Sequence, residues 1–281
     1  MSTIPISVTE EQFETYISPH LSKARRGYVS KISLYKIFNY ILYRLYTGCQ
    51  WRSLPIAPDV EHPEKPEITP GAVYHHFRKW SRDGSLERVW QGSIVTVQDE
   101  LDLSELNLDG SHTPAKQGGE EVAYQPRKRA KTSNVLPITD RKGYIVASTG
   151  IIAGNHHDAF NLKEHLQSAF KAIKRLGLCI AGAHFNADSA FDTRAARKVC
   201  FNHGLIPNIA ENKRNRQSPK RGRKRLFDPL IYKHRFEQEH VFAWIDKYRA
   251  LLLRFDRKAV HFLGGHFIAY ALINLRHIFA D

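Results

Sequence analysis

The chain has 281 residues, 42% of them hydrophobic and 25% charged, a balance that suits a folded globular protein able to bury a substantial core. Its 42 lysines and arginines against 28 acids leave a formal net charge of +14, a field that attracts polyanions, nucleic acid first among them. Cys49, Cys179 and Cys200 are odd in number and far apart, which excludes a disulfide framework or a cysteine metal site and fits a reducing cytoplasm.

In chain order, the opening residues show no apolar signal-peptide core. A helix is expected from Glu10 to Tyr16. Leu34, Phe38, Ile41 and Leu45 recur at spacings of four and three and give a second helix an apolar stripe. A loop rich in proline and acid follows, from Leu54 to Pro70. Thr69 can cap a third helix whose first turn tolerates Pro70 and which runs through Val73, Phe77 and Trp80. Arg78, Lys79, Arg82 and Arg88 decorate this region. Residues 1–100 therefore read as a helical DNA-binding region, or as helices that only pack against the rest of the chain.

From Leu103 the texture changes, and residues 101–281 read as a second domain. The segment LSELNLDGSH is a strand running into a loop. KTSNVLPITD and GYIVASTGIIAG are two strand-like runs joined by Asp140-Arg141-Lys142-Gly143, a hairpin signal. A helix with Asp158 as its cap and Leu162, Leu166, Phe170 and Ile173 on one face comes next. A strand is expected from Ile180 to about Asp188, then a short helix from Thr193 to Asn202, then a strand in LIPNIA. Helix returns from Tyr232, and Val260–Phe279, interrupted by histidines, Asn274 and Arg276, reads as a buried amphipathic helix and not as a membrane span. The order describes an α/β fold with a mixed sheet, preceded by a helical module.

Three acids fall where such a sheet can gather them. Asp109 ends a strand and precedes Gly110; Asp188 ends another and precedes small residues. Glu239 lies on a helix where Tyr232 and Arg235 share its face, while Val241, Trp244, Ile245, Tyr248 and Leu252 form an apolar stripe. Hard divalent cations take oxygen ligands, and two of them about 4 Å apart can serve an in-line phosphoryl transfer. Each acid also has an ordinary alternative: an Asp before Gly forms turns, Asp188 can cap the next helix, and Glu239 can pair with Arg235 on a solvated face.

The segment DGSHTPAKQGGEEVAYQPRKRAKTSNVLPITDRKGYIVASTGIIAGNHHD, together with NADSAFD and YKHRFEQEHVFAWIDKYRALLLRFD, resembles bacterial insertion-sequence transposases of the DDE type. YRLYTGCQWRSLP and VYHHFRKWSRDGSLERVW resemble the helical N-terminal region of the same elements, so the likeness covers nearly the whole chain. The resemblance implies a ribonuclease-H-like catalytic core of the retroviral-integrase superfamily. By motif position it assigns Asp109, Asp188 and Glu239 to catalysis and to holding two Mg2+ or Mn2+ ions, with Tyr232 and Arg235 part of the same signature. It favours Glu239 over Glu237 and Asp246, and leaves Asp192 and the His156-His157-Asp158 cluster as possible substrate-positioning groups. Relatives commonly carry Arg after the glutamate where this chain has His240, which puts one phosphate contact in doubt. About fifty residues separate Asp188 from Glu239, too few for the large insertion domain of some relatives.

Basic segments complete the reading. Lys116, the patch Arg127, Lys128, Arg129 and Lys131, and the run holding Lys213, Arg214, Arg216, Lys220 and Arg221 are expected to bind DNA phosphates without sequence preference, alongside Tyr232, Arg235 and His240. The resemblance implies double-stranded DNA as partner, both transposon ends and target. It further implies a homodimer or higher assembly on DNA, no membrane, and residence at the nucleoid of a bacterial cytoplasm. Metal-dependent cleavage at transposon ends with strand transfer is the expected activity. A decayed, transposase-derived DNA-binding protein and a ribonuclease-H-like nuclease without strand transfer are the alternatives.

Overall fold

The computed structural model describes residues 4–23, 30–212 and 226–280, and divides the chain into two compact units. One comprises residues 1–97, 113–120 and 244–281; the other comprises residues 98–112 and 121–243.

The first unit is helical. Its helices are α1 (Glu10–Tyr16), α2 (Leu34–Thr47), α3 (Pro70–Arg82) and α4 (Ser85–Thr96), joined late in the chain by α9 (Arg249–Leu252) and α10 (Ala259–Asn274). Thr9 and Gln12 close a reciprocal capping box on α1, and the Thr69 hydroxyl caps α3 ahead of Pro70, as the sequence predicts. Ile37, Phe38, Ile41, Leu42 and Leu45 of α2 are buried with Val73, Phe77 and Trp80 of α3. The expectation of an amphipathic last helix needs correction: α10 is buried on nearly every side because it packs against both α3 and α4. Gly264 permits that approach, since a Cβ there would come within 2.5 Å of the Ser81 hydroxyl oxygen. Among the described residues, no helix is long and apolar enough to cross a membrane.

The second unit holds strands β1 (Glu105–Leu108), β2 (Ser111–Pro114, its last two residues outside the unit), β3 (Ala123–Gln125), β4 (Ala130–Val135), β5 (Pro137–Asp140), β6 (Ile145–Ser148), β7 (Ile152–Ala153), β8 (His184–Ala187) and β9 (Ile206–Ile209). Helices α5 (Leu162–Arg175) and α6 (Arg194–Asn202) connect its later strands. The main sheet runs β6-β5-β1-β8-β9, with β1, β5 and β6 antiparallel and β8 and β9 parallel to β1. Three antiparallel strands extended past the first by two parallel ones is the ribonuclease-H-like order. Phe170 and Ile173 of α5, Phe185 of β8 and Val199 of α6 supply its buried apolar layer.

Each of the two strand-like runs at residues 130–153 is split between sheets. β5 and β6 form the expected hairpin in the main sheet, while β4 and β7 pair in a second, small sheet with β2 and β3. The break has a local cause: Pro137 brings no N–H to a ladder, and at the junction the Leu136 N–H and C=O are satisfied by Thr149 instead. The strand expected from Ile180 begins only at His184, after a turn through Gly182 at φ 81°. Asp158 does not cap α5, which starts four residues later behind Asn161. The last segment is α7 (Pro229–Tyr232), a 3₁₀ turn at Lys233–Arg235 and α8 (Phe236–Asp246), where the sequence predicts one continuous helix.

Candidate active site

Parallel pairing of β1 with β8 sets Leu108 opposite Ala187. The next residue on each strand is the acid, so Asp109 and Asp188 emerge side by side at the carboxyl end of the sheet, where crossover folds gather ligands. Asp109 folds one carboxylate oxygen onto the Gly110 N–H at 2.8 Å and gives the other to the Arg235 guanidinium at 2.7 Å. Asp188 accepts the Ala190 N–H at 2.7 Å and so caps the 3₁₀ turn Ser189–Phe191. Burial raises the Asp109 pKa and the Asp188 charge adds to the rise, more than Arg235 and the Gly110 N–H offset. Two crowded acids of this kind are what a cation would relieve.

Arg235 is held from behind by Tyr232, whose hydroxyl accepts at 3.1 Å and whose ring lies 5.3 Å beneath the guanidinium carbon. Burial works against its charge, but Asp109, Tyr232 and Asp188 outweigh that and raise its pKa. The preceding residue, His234, donates from Nδ1 to the buried Glu105 carboxylate at 2.8 Å. Gln238 anchors α8, accepting from the Thr139 hydroxyl at 2.6 Å and donating to the Pro137 carbonyl. The face shared by Tyr232 and Arg235 is thereby fixed toward the strand ends.

Asp109 and Asp188 open onto a pocket of about 780 Å³. Asp192 lines the same side, paired with Arg197 at 2.9 Å. Arg127, Lys128, His112 and His156 also line the pocket. His112 is fixed by Thr132 at 3.2 Å and by Asp158 at 3.3 Å, and Asp158 also accepts from Asn134 at 2.8 Å. The His112 hydrogen bond, before other causes, lowers the Asp158 pKa. This is why Asp158 is unavailable as a helix cap.

Glu239 is exposed, one turn beyond Arg235, and does not line the pocket. Among the described residues, no three His, Cys, Asp or Glu side chains are gathered closely enough to hold a metal ion. Its neighbours are placed differently: Glu237 pairs with His240 at 3.2 Å, and Asp246 is exposed. Of the basic candidates, Lys116, Arg127, Lys128, Arg129 and Lys131 are exposed. Lys213, Arg214, Arg216, Lys220 and Arg221 lie outside the described residues.

Sequence reasoning missed a ladder of asparagines beneath the acids. Asn107, Asn186 and Asn208 are in register on β1, β8 and β9, fully buried and linked side chain to side chain at 2.9 and 2.7 Å. Asn208 also exchanges hydrogen bonds with the backbone of Asp228, the residue that caps α7. The available signal was an Asn in the middle of each apolar strand, a residue type depleted there.

The model of the transposase DDE domain matches residues 82–272, and the chain belongs to this family of DDE transposases. The model of the IS4/5 family of transposases matches residues 8–90 as well, so the protein is a DNA transposase of an insertion element, an enzyme whose family uses divalent metal. No curated protein matches the chain. Among solved structures, the Mos1 transposase paired-end complex with the left transposon end is 12% identical, covering 92% of this chain and 82% of that one at a TM-score of 0.29. A pre-cleavage Mos1 transpososome is 13% identical, with 97% and 86% covered and a TM-score of 0.30. Scores this low establish no residue correspondence.

Proposed function

We propose that this transposase cuts the phosphodiester at its element's ends and joins the freed 3′-hydroxyl to target DNA in one site, with Asp109, Asp188 and Glu239 as the metal-holding residues. The observation that carries the reading is the register of β1 and β8, which sets Asp109 and Asp188 side by side at one pocket. Their oxygen donors suit Mg2+ or Mn2+, and burial, with Asp188 adding to it, raises the Asp109 pKa, a cost to its charge that a bound cation would offset. When bound, two ions would supply activation of the attacking oxygen and stabilisation of the leaving one. Glu239 is included on the family motif; it lies one turn beyond Arg235, whose guanidinium meets Asp109. Arg127 and Lys128, which line the same pocket, would hold the flanking phosphates, beside a His112 fixed by Asp158 and Thr132.

In this reading residues 1–100 form the DNA-binding region and residues 101–281 carry catalysis, although residues 113–120 and 244–281 of that stretch belong to the helical unit. Duplex DNA of the element ends and of the target is the substrate. Joining two ends requires at least two copies on DNA, working in the cytoplasm at the nucleoid. Calorimetric titration with Mn2+ tests the metal assignment. Asp109→Asn, Asp188→Asn and Glu239→Gln should each weaken binding at least about tenfold, as loss of a charged ligand does. Unchanged Mn2+ affinity in all three would refute it.

A further inference from the structure

The helical unit holds a second pocket, of about 700 Å³, built around the GCQWRSLP motif and used by nothing described so far. That volume suits a small organic ligand. Its aromatic lining comes from Trp51 and Tyr74, whose rings lie 5.0 Å apart, and from Phe255, which is 47% exposed. Its rim is cationic: Arg52, Arg257 and Lys258 are all exposed there, with Glu120 pairing Lys258 at 2.7 Å.

The inner wall is unfinished. Arg44 is 7% exposed, stacks 4.9 Å over the Trp51 ring and meets Asp256 only at 3.5 Å. Its Nε has no hydrogen-bond partner among the described residues. His261 is 4% exposed, lines the same pocket, and its Nε2 is likewise without a partner. Buried polar atoms are rarely left so, and these two belong to residues that line one pocket, whose inner wall is therefore polar as well as aromatic. Four cationic side chains against the single carboxylate Asp256 select for negative charge, and the aromatic surface selects for a flat ring.

We infer that this pocket is a nucleotide-binding site, taking one unpaired base of a DNA strand against Trp51, Tyr74 and Phe255 and its phosphate on Arg52 and Arg257. Gln50 and Asp256 line the same pocket and supply polar groups for the amino groups and ring nitrogens of a base. The site lies wholly within the helical unit and is distinct from the Asp109–Asp188 pocket. The inference rests on the reading that the protein handles DNA, but binding here is scored apart from cleavage.

The test is calorimetric titration of the full-length protein with the four deoxynucleoside 5′-monophosphates, with the matching nucleosides and with deoxyribose 5-phosphate. The nucleotides should bind at least about tenfold more tightly than either fragment, because stacking and charge each contribute about that factor. Phe255→Ala and Arg257→Ala, both exposed and so compatible with folding, should each weaken binding by a similar factor. Asp109→Asn should leave it unchanged. No measurable binding would overturn the inference. So would binding indifferent to Phe255→Ala and Arg257→Ala, or binding lost in Asp109→Asn, which would place the ligand in the catalytic pocket. An inactive Asp109→Asn protein that still takes nucleotides supports both readings; an active one that takes them leaves only this inference standing.

Discussion

At the scale of single residues, the site combines strand-end acids with basic side chains that line the same pocket. Arg235 pairs with Asp109 at 2.7 Å, on the carboxylate oxygen that the Gly110 N–H leaves free. Arg127 and Lys128 line the pocket as exposed residues, so their contribution to DNA binding is long-range and screened by salt. Each of Arg127→Ala and Lys128→Ala should therefore weaken affinity for any duplex alike and lower the slope of log affinity against log salt by about one. A fluorescence-anisotropy series between low and moderate salt reads this directly. A change confined to one DNA sequence would mean that these residues read bases and not phosphates.

At the scale of elements, the asparagine ladder joins three strands to the segment that carries Arg235. Asn186 donates to both Asn107 and Glu105, and Glu105 accepts from His234. Replacing Asn186 by Leu strands several buried polar groups at once and should cost about 2–4 kcal/mol of stability in urea unfolding. In the helical unit, Gly264→Val should cost about 1–3 kcal/mol, since a Cβ there already comes within 2.5 Å of the Ser81 hydroxyl and 3.1 Å of Leu86. Helices were legible in the sequence wherever periodicity and caps agreed: α1, α2 and the Thr69-Pro70 start of α3 stand as read. The strands carrying Asp109 and Asp188 were legible too, because apolar runs end abruptly at an acid. Partnering between strands was not. Nothing local says that residues 130–135 and 137–140 enter different sheets, or that Asp158 answers to His112, 46 residues away. Spacing put Glu239 on a helix face with Tyr232 and Arg235, but resemblance alone made it a site residue, and its surroundings depend on how α7 and α8 meet, which no spacing records.

For the molecule as a whole, charge and burial set the limits of stability. His266 lies inside α10 between Phe262 and Tyr270, donating from Nδ1 to the Phe262 carbonyl. Burial, with Arg254 adding to it, lowers its pKa from 6.5 to about 4. The unfolded chain therefore binds this proton in preference to the folded one between those values. Stability is intact above pH 6.5 and lost as pH falls toward 4, by up to about 3 kcal/mol from this group. Denaturant midpoints for the wild type should drop between pH 7 and 5, and His266→Gln should flatten that drop; an equal drop in both would remove His266 as the cause. The most direct test of the central claim is strand transfer: the wild type and Asp188→Asn, each with Mg2+, DNA bearing the element's ends and a target plasmid. The wild type should cut and join, while Asp188→Asn should still bind the ends yet lose both products by at least about a hundredfold. Equal cutting and joining by the two proteins would contradict a chemistry centred on the paired strand-end acids.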